Sequence, residues 1–389
     1  MRMYAFDGTR RTRPPAKTWH AIRPLLPAYG ITRIADVTGL DDLGIPVTMA
    51  VRPTAWTLSV AQGKGATLDA ARVSGAMEAI EVWHAERAPL PVSAGQIPAC
   101  DLRLPYAIAA LEQHPGSLLT ERVRMDWITA RSAVDDAETL LPEAAVRVKR
   151  TVHDDWRLHL PSASTNGLAS GNTRAEALVH GLCAVIERDV LSDVAQDNGQ
   201  RSEIVDPATV ADPHCAALIE KLRRGQCRLE LRHASNRFGV AVMSCHLWRE
   251  DQSSVLVAGA GAHPDPQVAL SRAITEAAQS RLTLIAGSRE DNQPLAYRPG
   301  PHTAPVPSTA PMTPWATVIS RYQAPADTDT AQASVLAAAV ATATGHAPLV
   351  VDLTWGPYAQ DEFTVVKVCA PGLRHTARHT VPRPQETTR

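Results

Sequence analysis

The chain has 389 residues, of which 44% are hydrophobic and 20% are charged, and its formal net charge at pH 7 is −1. This length suits one large domain or two ordinary ones, and the composition is that of a protein with a substantial core. The near-zero net charge gives no support for binding to nucleic acid or to an anionic membrane surface, and few aromatic residues are available to stack on bases.

The amino-terminal quarter is predicted to contain an arm at residues 1–30, two strands and a long helix. Pro14 and Pro15 favour a helix start after the basic cluster that precedes them. Thr67 has the side chain of a helix N-cap. In chain order, the predicted elements are a helix at 18–26, strands at 31–37 and 45–53, a glycine loop at 62–65 and a helix at 68–87.

The remainder of the chain mixes helices and strands unevenly, which predicts an α+β fold rather than a doubly wound sheet. The segment 293–314, rich in Pro, Thr and Ser, is predicted to be a long mobile loop, and 376–389 to be a disordered tail. Helices are predicted at 173–196, 207–224, 266–285 and 331–344. Strands are predicted at 118–130, 143–153, 229–233, 240–246, 255–261, 349–353 and 363–369.

The cysteines and the hydropathy pattern favour a cytoplasmic protein. None of the 6 cysteines forms a CxxC pair, so reduced thiols are expected rather than a disulfide framework. The amino terminus has no apolar signal segment, and the sequence contains no run of about 18 apolar residues that would span a membrane.

Three predicted helices carry polar side chains at the spacing of one helical face, within segments that are otherwise apolar and rich in Ala. Carboxylates that converge from such faces repel one another unless a cation lies between them. The simplest explanation is a magnesium ion that is bound together with nucleotide phosphates. The alternative is an exposed helix face, or, for Arg272 and Glu276, a salt bridge within the helix. The sets are Ser74, Glu78 and Glu81; Glu176, His180 and Glu187, followed by Arg188; and Arg272 with Glu276.

Other catalytic patterns are absent from the sequence. The segment around Lys64 fails the Walker A pattern, because residue 58 is Leu where Gly is required and Lys64 is followed by Gly65. A turn that holds another ligand with Lys64 remains open. No HExxH zinc motif and no GxSxG nucleophile motif occurs.

Taken in order, these motifs resemble the YcaO family of ATP-dependent enzymes that modify peptide backbone amides. The resemblance extends over about residues 31–290 and is looser beyond, and the segment 9–51 is most similar to members that work with a TfuA partner protein. The segments that carry it are 38–47, 62–65, 74–81, 165–173, 185–189, 263–272 and 276–281.

The resemblance implies an α+β fold at residues 31–375 that binds ATP and Mg²⁺ without a P-loop. It also implies a peptide substrate, and it allows a homodimer. No covalent nucleophile is implied, because the site positions the substrates and screens charge. The implied metal ligands are Glu78, Glu81 and Glu187. The implied ATP-binding residues are Ser74, Asn172, Glu176, Arg188, Arg272 and Glu276, with Arg11 and Thr18 of the arm.

Two departures from the family pattern bear on the activity. Ala184 stands where family members usually carry a metal-side Glu, and the Pro-x-Pro-x-Pro tail of azoline-forming members is absent or degraded. The second departure favours thioamide formation with a TfuA-like partner. An azoline-forming cyclodehydratase is the alternative, and Ala184 also allows an impaired scaffold that binds a peptide or a partner.

Overall fold

The computed structural model describes residues 1–113, 117–148, 164–249, 256–289, 310–356 and 362–374. The chain divides into two units by its internal contacts. Unit 1 comprises Met1–Arg2, Glu81–Asn198 and Ala326–Arg389, and unit 2 comprises Met3–Ile80 and Gly199–Pro325. The predicted α+β class is confirmed by the mixture of helices and mainly antiparallel sheets.

The helices are, in chain order, α1 (Pro15–Ile22), α2 (Leu68–Arg87), α3 (Arg174–Gln196), α4 (Pro213–Arg224), α5 (Pro266–Ala286), α6 (Trp315–Ile319) and α7 (Asp329–Thr344). The strands are β1 (Tyr4–Phe6), β2 (Thr9–Arg11), β3 (Arg33–Asp36), β4 (Val47–Val51), β5 (Val60–Lys64), β6 (Val92–Pro98), β7 (Arg124–Ser132), β8 (Glu138–Pro142), β9 (Leu168–Gly171), β10 (Ser202–Val205), β11 (Cys227–Ala234), β12 (Ala241–Arg249), β13 (Val257–His263), β14 (Met312–Thr313), β15 (Leu349–Asp352) and β16 (Thr364–Cys369). None of these helices has the length and apolar character that crossing a membrane requires.

Unit 2 contains a β1–β2 hairpin, a three-stranded sheet ordered β3-β4-β5 and a five-stranded sheet ordered β13-β12-β11-β10-β14. The pairing is antiparallel throughout, apart from β10 with β14. Helix α5 packs on β12 and β13. Leu231, Ile274 and Trp315 are among the buried side chains that form the core of this unit.

Close approach between a strand and a helix explains the glycines of unit 2. A Cβ atom on Gly63 of β5 would lie 2.0 Å from the carbonyl oxygen of Ala71 in α2. A Cβ atom on Gly259 of β13 would lie 2.2 Å from the backbone nitrogen of Ala277 in α5. Only glycine allows backbones to pack this closely. The predicted glycine loop at 62–65 is therefore wrong, because residues 62–64 belong to β5.

A polar network in unit 2 joins β10, β11 and the segment after β14. Glu203 accepts hydrogen bonds from Thr313 Oγ1 at 2.8 Å and from Arg321, and it pairs with Nδ1 of the buried His233 at 2.8 Å. Burial alone would raise the pKa of Glu203, but the hydrogen bonds from Arg321, Thr313 and His233 outweigh it and lower the pKa to about 2. Glu203 therefore stays ionised, as a half-buried carboxylate with charged and hydroxyl partners should.

Unit 1 is built on a six-stranded sheet in which β6-β7-β15-β16-β9 are neighbours and β8 pairs with β7. All of its pairs are antiparallel. Helix α3 packs on β9 and β16, and α7 packs on α3. Trp127, Ile186 and Val365 are fully buried in this unit, so one face of the sheet and the apolar side of α3 form its core.

Most predicted elements are confirmed, and α2 begins and ends as predicted, with Thr67 capping it. Four predictions need correction. The arm contains the β1–β2 hairpin, and its helix starts at Pro15. The segment 207–224 is a short 3-10 turn followed by α4, which Asp212 caps. Residues 143–145 form a 3-10 turn instead of a strand.

Several predictions fall outside the described residues. These are the strand at 149–153, the start of the strand at 255–261, the mobile loop at 293–309 and the tail at 376–389. At the end of the loop prediction, Met312–Thr313 pairs with β10 as β14. The predicted domain boundaries at residues 30 and 375 stay predictions.

Candidate nucleotide and magnesium site

Unit 2 brings together a carboxylate of α2, a carboxylate of α5 and the lysine at the end of β5. Lys64 Nζ lies 2.6 Å from Oε2 of Glu276, and Arg289 Nη1 lies 3.9 Å from Oε1 of Glu78. The side chains of Glu78 and Glu276 keep 40% and 30% of their surface exposed. Ser74, one turn before Glu78 on α2, is half-buried. Lys64 is thus an ion-pair partner of Glu276, and the alternative of a salt bridge between Arg272 and Glu276 within α5 stays a prediction.

Burial outweighs the positive charges around the Glu78 carboxylate. Burial raises the pKa of Glu78, the charges of Arg289 and Lys64 and a hydrogen bond from the Gln62 backbone lower it, and the charge of Glu276 raises it again; the net shift is upward. Water at the exposed part of the side chain screens part of this effect. Glu78, whose pKa is raised, and the neighbouring carboxylate of Glu276 form a donor set that a hard cation would stabilise.

Three arginines of unit 2 lie around the buried His263. Burial, and then the charges of Arg272, Arg10 and Arg11, hold the pKa of His263 well below its usual value. His263 Nδ1 instead accepts a hydrogen bond from the backbone N–H of Asp265 at 2.9 Å. The imidazole therefore stays neutral, so the positive charge here is that of the guanidinium groups of the β1–β2 hairpin and α5, the kind of group that binds phosphate oxygens well. Thr18 is buried in α1.

Unit 1 holds the remaining predicted residues, beginning with Glu81 near the end of α2. Glu81 is 9% exposed, and Ser170 Oγ of β9 donates a hydrogen bond to its Oε1 at 2.5 Å. The Ser170 hydroxyl thus satisfies one oxygen of this buried carboxylate. Glu187 of α3 is half-buried, Arg188 is exposed, and Ala184 is half-buried one turn before them.

Glu176 caps the start of α3. Its Oε1 accepts hydrogen bonds from the backbone N–H of Asn172 at 3.2 Å and from Asn172 Nδ2 at 2.9 Å. In return, the N-cap Thr173 Oγ1 accepts a bond from the backbone N–H of Glu176 at 3.0 Å. This reciprocal arrangement closely resembles a capping box. Glu176 is 2% exposed, so Asn172 and Glu176 have a structural role whatever else they bind, and their predicted nucleotide contacts stay predictions.

The residues present fit a magnesium ion that is held mainly by its nucleotide. Among the described residues, no group of three or more His, Cys, Asp or Glu side chains has an arrangement suited to a metal ion. Magnesium commonly takes only one or two protein carboxylates and completes its shell with phosphate oxygens and water. The predicted meeting of Glu78, Glu81 and Glu187 at one ion stays a prediction.

Sequence reasoning missed three charged residues beside the predicted ones. Lys64 was assigned only to a possible ligand turn, whereas it pairs with Glu276, which is 212 positions away in the chain. Arg10 adjoins the predicted Arg11, and Arg289 follows the end of α5. The basic cluster at 9–13 was a usable signal for Arg10, but nothing local in the sequence indicates the contacts of Lys64 and Arg289.

The comparisons with known proteins agree on a single family. A model of that family, described as YcaO cyclodehydratase, ATP- and Mg²⁺-binding, matches residues 62–374. An uncharacterized protein of Mycobacterium tuberculosis is 38% identical over 377 residues, which are 94% of this chain and 83% of that protein. An uncharacterized protein in the tfuA 3′ region of Rhizobium leguminosarum bv. trifolii is 35% identical over 307 residues, 75% of this chain and 71% of that protein.

The fold is similar to that of a solved structure of the same family. The structure of YcaO from Methanopyrus kandleri, bound with AMPPCP and Mg²⁺, matches with a TM-score of 0.72 and covers 100% of both chains at 23% sequence identity. This similarity concerns the fold, and the family model concerns more than three quarters of the sequence. The chain therefore belongs to the YcaO family of ATP- and Mg²⁺-binding cyclodehydratases.

Proposed function

We propose that this protein uses ATP and Mg²⁺ to activate a backbone amide of a peptide by O-phosphorylation, and that its product is a thioamide. A sulfur nucleophile adds to the carbonyl carbon, and the resulting oxyanion attacks the γ-phosphorus of ATP, releasing ADP. Loss of phosphate and of the sulfur-bound proton then gives the C=S bond. The oxygen of the amide leaves in the phosphate, so atoms and charge balance.

The residues of the chain position the substrates and screen charge, which is the main task in phosphoryl transfer. Arg11, Arg188 and Arg272 hold phosphate oxygens in this proposal, and Ser74 contacts the nucleotide. When bound, Mg²⁺ neutralises charge on the phosphates. Glu78, Glu81 and Glu187 hold the ion in the proposal, with Glu276 beside Glu78. No covalent nucleophile is required.

The observation that carries the proposal is the raised pKa of Glu78 beside Glu276, in a chain whose family is ATP- and Mg²⁺-binding. Ion pairs that serve stability alone are expected to lower a carboxylate pKa. Here burial, and to a smaller extent the charge of Glu276, raises it, which supports a role in which a cation arrives with the ligand.

The test combines nucleotide binding with turnover. Calorimetry with AMPPCP should show binding that depends on Mg²⁺, and Glu78→Gln should weaken it at least about tenfold, that is by about 1.4 kcal/mol. Glu220→Gln is the matched control, because Glu220 is exposed on α4 and pairs with Arg224 at the surface. ATP, Mg²⁺, sulfide and a peptide encoded beside the gene should give phosphate release. Unchanged turnover in Glu78→Gln contradicts the proposed site.

Cyclodehydration is a second candidate activity, because the family description names it. In that reaction, a Cys, Ser or Thr side chain of the peptide replaces external sulfide as the nucleophile, and the product is an azoline. Mass spectrometry separates the two reactions. Exchange of one oxygen for sulfur indicates a thioamide, whereas loss of one water without added sulfide indicates an azoline.

A partner protein of the TfuA type is part of the proposal. Its support is the relative from the tfuA 3′ region and the similarity of segment 9–51 to TfuA-associated members. Co-expression with a TfuA-like protein encoded nearby should raise turnover with sulfide-derived sulfur, and equal turnover with and without it would contradict this part. An impaired scaffold, which Ala184 allows, would bind peptide but show no affinity for AMPPCP.

A further inference from the structure

A groove of unit 2 is lined by residues that the proposed reaction does not use. It has a volume of about 430 Å³, which is in the range of ligand-binding clefts. Its walls are α1 with the turn that follows, the segment 31–34 that leads into β3, and Arg72 of α2. Leu26 and Ile31 are buried at the groove, so it combines an apolar floor with a charged rim.

The charges of this groove are positive. Arg23 and Arg33 are exposed, and neither has an ion-pair partner among the described residues. Arg72 lies 3.2 Å from Asp69, and its guanidinium carbon is 5.9 Å from the centre of the Trp19 ring. Because only one of the three guanidinium groups is neutralised by a described carboxylate, the groove is complementary to an acidic ligand.

The groove is bordered by a sheet edge. β3 is the edge strand of the order β3-β4-β5, and β4 is its neighbour. Val37 N–H donates to the Val47 carbonyl oxygen at 3.0 Å, so the backbone N–H of residue 37 faces β4. Backbone groups alternate with a period of two residues along an antiparallel strand, and the N–H and C=O groups of Ile34 and Asp36 therefore point away from β4.

We propose that this groove binds an extended acidic peptide segment as an added strand on β3. The backbone of the segment pairs with Ile34 and Asp36, and its carboxylates contact Arg23 and Arg33, as in other cases of strand addition to a sheet edge. That the segment belongs to the peptide substrate rests on the proposed function; the binding itself does not.

Nucleic acid is the less suitable occupant. The alternating donors and acceptors of β3 match a peptide backbone and have no regular counterpart in a phosphodiester chain. The chain as a whole has a net charge of −1, whereas nucleic-acid-binding surfaces are extended and strongly basic.

Fluorescence anisotropy with a short labelled peptide of alternating glutamate and threonine tests the charge complementarity. This peptide should bind, its lysine–threonine counterpart should not, and the double substitution Arg23→Glu with Arg33→Glu should weaken binding by about tenfold or more. Arg228→Glu, at an exposed arginine of β11, is the matched control. Equal binding of both peptides, or displacement of the acidic peptide by a thymidine oligonucleotide at low concentration, would overturn the proposal.

N-methylated peptides test strand addition on the unaltered protein. Two versions of the acidic peptide are compared, one methylated at its odd-numbered amides and one at its even-numbered amides. Methylation blocks pairing only where the methylated N–H groups would face β3. One of the two methylated peptides should therefore retain binding while the other loses it, and equal affinities would overturn strand addition. If the wild-type protein binds AMPPCP with Mg²⁺ but neither acidic peptide, this inference fails while the proposed function stands. If the protein binds the acidic peptide but not AMPPCP, the proposed function fails while this inference stands.

Discussion

Replacing Gly63 with alanine would force α2 away from β5. The added Cβ atom would lie 2.0 Å from Ala71 O, 2.1 Å from Gly75 N and 2.7 Å from Gly75 Cα, all of them backbone atoms of the helix. Ordinary contact begins at 3.4 Å, so the helix must retreat by 3.4 − 2.0 = 1.4 Å at the closest point. The same Ala71 carbonyl accepts a hydrogen bond from the buried Thr48 hydroxyl at 2.8 Å, and the retreat would break it.

Overpacking usually lowers the free energy of unfolding by about 1–3 kcal/mol. We expect Gly63→Ala to lie at or above the upper end of this range, because backbone atoms cannot rotate aside as a side chain does. A loss of about 3 kcal/mol would lower Tm by about 6–12 °C in a unit of this size. Differential scanning calorimetry of the nucleotide-free protein measures this. Because α2 also carries Ser74 and Glu78, the variant should bind AMPPCP more weakly as well.

Gly39→Ala is the matched control. A Cβ atom at Gly39 would meet nothing within 4 Å, so this variant should keep the Tm of the unaltered protein within experimental error. If Gly63→Ala were as stable as Gly39→Ala, the close packing of β5 on α2 would be refuted, and the glycine motif would need another explanation.

Three further outcomes are expected. Glu176→Ala should destabilise the protein by about 1 kcal/mol through loss of the α3 cap, and Glu176→Gln should restore most of this in urea denaturation; a neutral alanine variant would contradict the capping role. Ala184→Glu should increase the affinity for AMPPCP with Mg²⁺ in calorimetry, and unchanged affinity would mean that residue 184 faces elsewhere. The hydrogen bonds to Glu203 contribute stability that is complete above pH 4.5 and is lost as the pH falls towards about 2, where Glu203 protonates. Glu203→Gln should therefore be less stable than the unaltered protein at neutral pH. The difference in unfolding free energy between the two proteins should narrow in acid.

Local signals accounted for the long helices. Thr67 and Thr173 are N-cap side chains that mark the starts of α2 and α3, and periodic apolar residues follow both. The spacing of Glu78, of Glu187 and of Arg272 placed each of them on a helix, as the structure has them. These are properties that a short stretch of sequence determines by itself.

Tertiary packing decided the predictions that were wrong. Gly63 and Gly65 have the composition of a turn, but the requirement at Gly63 is contact with α2, which no local pattern reveals. The spacing of Glu176 also did not indicate that its carboxylate closes the cap of its own helix, and its predicted nucleotide contact stays a prediction. The pairing of Lys64 with Glu276 depends on the packing of β5 beside α5, so only the folded chain shows it.

The Lys64–Glu276 contact has a consequence for the order in which ligands associate. The Lys64 ammonium group lies 2.6 Å from the Glu276 carboxylate and competes with any divalent ion for it. Free Mg²⁺ must therefore displace a tethered cation, and we expect it to bind weakly by itself. Phosphate oxygens offer the ammonium a new anionic neighbour and release the carboxylate, so nucleotide and metal should bind with positive cooperativity.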